Sequence, residues 1–263
     1  MLAPLLLAAS LAAAAPAPSS GITLTPAQAR SIGLKIWRNE AGGKVEFLTY
    51  WSPDEDFPSL GIGHFIWYPA GRAGPFTESF PPVLDALAAG GATLPAWLRG
   101  HPACPWPDRA AFYADFDGPR LKGLRDLLAR TVDLQAQFCA RRLEEALPKL
   151  LAAAPPSERA ALRARFFRVA AAPNGVYALV DYVNFKGEGT NPSERYDGLG
   201  WGLLQVLELM SDAPAGQPSV ASFSRAADAA LTRRVAHAPP ERLEREKRFL
   251  PGWRARLKTY LEP

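Results

Sequence analysis

The feature that most constrains the fold is a change of hydrophobic period at Ala41-Gly42-Gly43. Before it, Ala29, Ile32, Ile36 and Trp37 recur close to helical spacing, behind Thr25 and Pro26 as cap and first-turn proline. After it, Val45, Phe47, Thr49 and Trp51 alternate with Glu46, Leu48 and Tyr50, the period of an extended strand. Two successive glycines are a helix stop signal. A helix over about residues 25–40 is therefore followed directly by a small β segment, with Glu40 at the helix exit.

The β segment continues through a polar turn, Ser52-Pro53-Asp54-Glu55-Asp56, into SLGIGHFIWY (Ser59 to Tyr68). That pattern predicts a hairpin with a wide acidic tip. Gly61 and Gly63 within its second arm mark a close approach of another backbone or a ligand. Residues 69–118 are rich in proline and glycine and read as a loop-rich insert, with one short helix at about 82–90. From 119 the chain reads as helical. Leu121, Leu124, Leu127 and Leu128 form one face, and Leu134, Phe138, Leu143, Leu147 and Leu150 the next, with Thr131 between them. Further helices are expected from Ser157 to about Ala171, from near Asn174 to Lys186, and at 200–211, 221–235 and 239–249, with a last one after Pro251. The expected fold is mainly α (α+β): a β-hairpin lobe at about 41–68 packed on a helical lobe at 119–263, together a single domain over 23–263.

Composition narrows the function classes. With 48% hydrophobic and 21% charged residues the chain is that of a globular protein. A net charge of +4 suits an anionic polymer such as a cell wall. No Lys/Arg block stands beside interleaved aromatics, which argues against nucleic acid. Residues 1–17 read as a secretory signal peptide, although no Lys or Arg precedes the apolar run. The expected location is secreted or periplasmic, and the expected state a monomer without stable membrane insertion. Cys104 and Cys139 are either one disulfide or two buried thiols. With His64, His101 and His237 they make no ligand spacing, so neither a metal nor a cofactor is expected.

A carboxylate at a helix exit facing a hairpin with an acidic tip suits glycoside cleavage. That reaction takes one carboxyl to protonate the leaving oxygen and a second to stabilise positive charge or activate water. Glu40, packed near Trp37, is the expected proton donor, and the solvated tip supplies the ionised partner. Consecutive turn residues point different ways, so one of Asp54, Glu55 and Asp56 faces Glu40; Glu55 is favoured and Asp54 is next. Tyr50, Trp51, Trp67 and Tyr68 flank the hairpin and offer aromatic faces for sugar rings, or else pack in the core.

The order of Glu40, hairpin, acidic turn and Ser59-Leu60-Gly61-Ile62-Gly63-His64 resembles the phage-type lysozymes (muramidases), whose catalytic Glu ends a helix and is followed by a TIGIGH-like strand. The resemblance implies a lysozyme-like fold and a polysaccharide partner, peptidoglycan or a related amino-sugar polymer. It implies a catalytic role for Glu40 and places Ser59 where that family has Thr, retaining a hydroxyl. ALVDYVNFKGEG (Ala178 to Gly189) is similar to a helix of the same enzymes and brings Asn184 to the site. Arg242 to Leu250 is similar to their terminal helix. Glu188 is a candidate third cleft acid and His64 a candidate contact. Gln205, in GWGLLQ, is similar to a segment of lytic transglycosylases. The spacing from Glu40 to Ser59 is longer than the family's, and the insert has no counterpart in it. A non-catalytic glycan-binding or envelope-structural protein on the same scaffold is the competing expectation.

Overall fold

The computed structural model describes residues 21–74, 76–100 and 102–262. The expected signal peptide lies outside them. Helix α1 spans Pro26–Ala41. Thr25 and Gln28 form a reciprocal cap at its start, and Gly42 closes it in the left-handed conformation at φ 59°. A 3-10 turn, Val45–Leu48, occupies the first half of the expected strand. The β lobe is then a three-stranded antiparallel sheet of β1 (Thr49–Tyr50), β2 (Ser59–Leu60) and β3 (Phe65–Ile66), in that order. Thr49 pairs with Leu60 and Tyr50 with Ser59, so the acidic residues do sit on the connecting turn.

The segment SLGIGH is not one strand. Ser59–Leu60 and Phe65–Ile66 pair with each other, and residues 61–64 are the turn between them. Gly61 at φ 67° and His64 at φ 47° reverse the chain there. Glycine adopts positive φ without steric cost. Hydrophobic alternation does not register such a reversal, because it reads side chains and not backbone handedness.

The helical part comprises α2 (Phe80–Ala89), α3 (Arg109–Ala114), α4 (Pro119–Arg130), α5 (Val132–Ala153), α6 (Arg159–Ala170), α7 (Gly175–Lys186), α8 (Leu203–Leu209), α9 (Gln217–Ala236) and α10 (Pro240–Lys258). A second small sheet, β4 (Arg195–Tyr196) with β5 (Leu199–Gly200), precedes α8 and was not expected from the sequence. The helix boundary expected at Pro251 is absent. The proline lies inside α10 and costs it one backbone hydrogen bond. The helix continues because residues beyond the proline are anchored: Leu257 is buried, and Arg256 is bonded to Asp181.

Helices α1 and α5 pack closely along one another. A Cβ at Gly33 would lie 2.5 Å from Val132 Cγ1 and 2.6 Å from its carbonyl oxygen, so only glycine permits this approach. The loop-rich insert is held by an aromatic cluster on the β lobe. Trp67 packs on Phe80 at 4.8 Å, Trp97 at 6.3 Å and Trp106 at 6.2 Å, and Trp51 meets Phe112 at 5.6 Å. Arg125 joins β1 to α4 by donating to Thr49 Oγ1 at 3.0 Å.

Cys104 and Cys139 are two free buried thiols and not a disulfide. Cys104 is tied into the insert, where it bridges Pro69 and its thiol lies 3.7 Å from the Trp106 carbonyl oxygen. Cys139 is on α5 under the Gly63 turn. Burial pushes both thiols up to about 12. Since the thiolate is the reactive species, neither should react rapidly with a disulfide reagent in the native protein at neutral pH, and both should react on unfolding. Counting thiols with and without denaturant checks this. Gly33→Ala should lower unfolding stability by about 1–3 kcal/mol, the usual range for overpacking, in a denaturant titration.

Candidate active site

Glu40 sits in the last turn of α1 with its side chain 15% exposed. The Trp37 indole, three residues earlier, donates to the Lys44 carbonyl at 3.1 Å. Glu40 meets two basic groups. Its Oε1 accepts a hydrogen bond from Arg256 Nη2, and its Oε2 lies 3.7 Å from His64 Nδ1. Helix exit and glycine turn thus meet as the order of the segments implies.

Arg256 is aimed by Asp181, a fully buried carboxylate on α7. Asp181 accepts from Arg256 Nε at 2.8 Å and Nη2 at 2.9 Å, from Tyr260 Oη at 2.7 Å and from Asn39 Nδ2 at 3.1 Å. Asn39 immediately precedes Glu40, so one carboxylate orients both the arginine and the backbone of its partner. Burial opposes the charge on Arg256, but Asp181 and then Glu40 outweigh it and hold the guanidinium well above its ordinary value. Burial, and then Asp181, push the Tyr260 phenol well up. None of Asn39, Asp181, Arg256 and Tyr260 was expected from the sequence. They lie far apart along the chain, and the buried Asp181 in an apolar helical run is the signal that could have pointed to them.

Glu55 is held through its backbone. Its carbonyl accepts from Trp51 Nε1 at 2.8 Å and its amide donates to the Ser52 carbonyl at 3.3 Å. The residue as a whole is solvent-accessible. Partial burial nonetheless pushes its carboxyl above the ordinary range; His64 opposes the shift and Asp54 adds to it. His64, its side chain 41% exposed, meets Glu40, and its charge acts on the Glu55 carboxyl. Asp54 is exposed beside Glu55. Asp56 is 90% exposed and lies 3.9 Å from Arg72.

The other expected residues divide. Asn184 is exposed on α7 near the Cys139 thiol. A Cβ on Gly63 would lie 3.3 Å from that sulfur, so Asn184 borders the His64 turn. Glu188 is farther along, paired with Lys149 at 3.2 Å. Ser59 is buried in the central strand β2. Tyr50 is exposed and packs edge-on against Phe47 at 6.5 Å. Trp51 and Trp67 are core residues and not cleft walls, at 1% and 0% exposure. Their indoles serve Glu55 and the Pro102 carbonyl. Gln205 is not a substrate contact either. It is buried, its Oε1 accepting from the Gly202 amide and its Nε2 donating to the Gly189 carbonyl, both at 3.1 Å.

Among the described residues, no three His, Cys, Asp or Glu side chains cluster so as to hold a metal ion. No described helix is long and apolar enough to cross a membrane. No family model, curated protein or solved structure matches the chain.

Removing one partner of a buried ion pair leaves the other charge uncompensated. Asp181→Ala should therefore cost about 3–5 kcal/mol of stability, read by thermal or chemical unfolding.

Proposed function

We propose that this protein is a glycoside hydrolase acting on peptidoglycan or a related amino-sugar polymer, with Glu40 and Glu55 as its two carboxyls. What supports the reading is that Glu40, at the exit of α1, lies 3.7 Å from His64, while Glu55, whose carboxyl responds to the His64 charge, lies on the acidic hairpin turn. Hydrolysis of a glycosidic bond takes a proton donor for the leaving oxygen and a carboxylate for the anomeric carbon or the attacking water. The two environments differ in the way that division demands. Glu55 is partly desolvated and suits the donor role. Glu40 accepts a charge-assisted bond from Arg256 and suits the carboxylate role. This reverses the assignment expected from the order of the residues alone, in which Glu40 gave the proton.

In the reaction, the C1–O bond breaks, its electron pair goes to the leaving oxygen, and the Glu55 proton follows. The Glu40 carboxylate takes the proton of the incoming water or stabilises the cation at C1. Asn184, exposed on α7, would hold a substrate amide or hydroxyl. The lysozyme-like architecture belongs to the same proposal: it rests on the order of helix, acidic hairpin, glycine turn and helical lobe. Export to the periplasm or beyond follows from the substrate.

The ion pair between Glu40 and Arg256 favours a second reading, a glycan-binding or envelope-structural protein whose carboxylate is kept occupied. Clearing of purified peptidoglycan separates the two. Glu40→Gln and Glu55→Gln should each lower the rate at least about a hundredfold, the usual scale for losing an acid–base group. Unaltered clearing in both would sink the mechanism, and a wild type that binds without clearing would support the second reading. The alkaline limb of the activity profile should follow the protonated donor. His64 lowers the Glu55 pKa and Asp54 raises it. His64→Ala should thus move that limb to higher pH and Asp54→Asn to lower pH, measured as kcat/KM against pH.

A further inference from the structure

We propose that Phe249 and Trp253 form a stacking subsite for a sugar chain, remote from the bond that is cut; this rests on the glycosidase reading. The two rings lie on α10 and stack with centroids 6.2 Å apart and planes 16° from parallel. Phe249 is 47% exposed and Trp253 half-buried. Most large apolar side chains of the helical lobe are buried, so a stacked pair left at the surface calls for an account.

The pair is continuous with the candidate site. Phe249, Trp253 and Arg256 follow at steps of four and three residues and so share one face of α10. Arg256 is the residue bonded to Glu40. Phe185 links them, with its ring edge-on to Trp253 at 6.3 Å and under the Arg256 guanidinium at 4.4 Å. Lys186 Nζ lies 3.5 Å from the Trp253 ring centroid and Arg234 lies 5.2 Å from it, which holds the indole in place. Along the helix, Phe249 is about 10 Å from Arg256 at the standard rise.

The surroundings select the occupant. Arg245 and Arg248 are exposed beside Phe249, with the Arg245 guanidinium 5.7 Å from its ring centroid. A rim of charge on a patch two rings wide is poorly suited to an apolar helix, which needs a continuous hydrophobic groove. A pyranose suits it, because its C–H face stacks on an aromatic ring while its hydroxyls meet polar neighbours. A long glycan seated at Glu40 and Glu55 would reach the pair, and a short one would not.

The test is binding and turnover of N-acetylglucosamine oligomers, a disaccharide against a hexasaccharide, by wild type, Phe249→Ala and Trp253→Phe. Phe249→Ala truncates an exposed ring and should leave folding intact, as a thermal melt will show. The wild type should bind the hexasaccharide tighter than the disaccharide by about tenfold or more, the scale of one good aromatic stack. Phe249→Ala should lose most of that advantage, through KM and not kcat, with the disaccharide unaffected. Binding should also change the wild-type tryptophan fluorescence, and part of that change should vanish in Trp253→Phe. A wild type with no length preference, or a preference that survives Phe249→Ala, overturns the subsite. Length-dependent binding without hydrolysis upholds it and removes only the glycosidase reading.

Discussion

A single buried charge organises the region around Glu40. Asp181 is fully enclosed, and an ionised carboxylate in such a place requires compensation by opposite charge and hydrogen bonds. Arg256, Tyr260 and Asn39 provide it. Those partners come from the end of α10, from the turn after it and from the end of α1. Satisfying one buried group therefore joins three parts of the chain, and Arg256 is left with a hydrogen bond to offer Glu40. The pair is better understood as a device for orientation than as a source of net stability, because desolvation offsets much of the attraction between buried ions.

The two turns of the β lobe depend on backbone satisfaction. Gln135, fully buried on α5, accepts from the Ile62 amide at 3.0 Å and donates to the Leu128 carbonyl at 2.7 Å. It fastens the glycine turn to the long helix, and that turn carries His64. The Trp51 indole performs the same service for the acidic turn by holding the Glu55 carbonyl. The His64 turn and the acidic turn are thus each fastened by a buried side chain, so packing holds both segments in place.

Much of this was readable locally. The cap at Thr25, the glycine stop after Ala41, the acidic turn between paired strands and the helical faces after residue 119 all follow from short-range patterns, and the structure contains them. The misreadings share one origin. SLGIGH looked like a strand because its side chains suit one, while its backbone turns at Gly61 and His64. Trp51, Trp67 and Gln205 looked like binding residues because of their chemistry, while packing drew them inside. Pro251 looked like a boundary because a local rule ignores what anchors the next turn.

The sequence by itself determined where α1 begins, that Glu40 leaves it, and that a small β lobe with an acidic turn follows. Those outcomes rest on interactions within a few residues, which composition and spacing encode directly. Only the tertiary structure decided that Arg256 meets Glu40, that Glu55 is the tip residue with a shifted carboxyl, and that the two cysteines stay apart. Each is a meeting, or a failure to meet, between segments distant in the chain. What decides it is the burial of Asp181, Trp51 and the aromatic cluster of the insert, and burial is a property of the assembled fold.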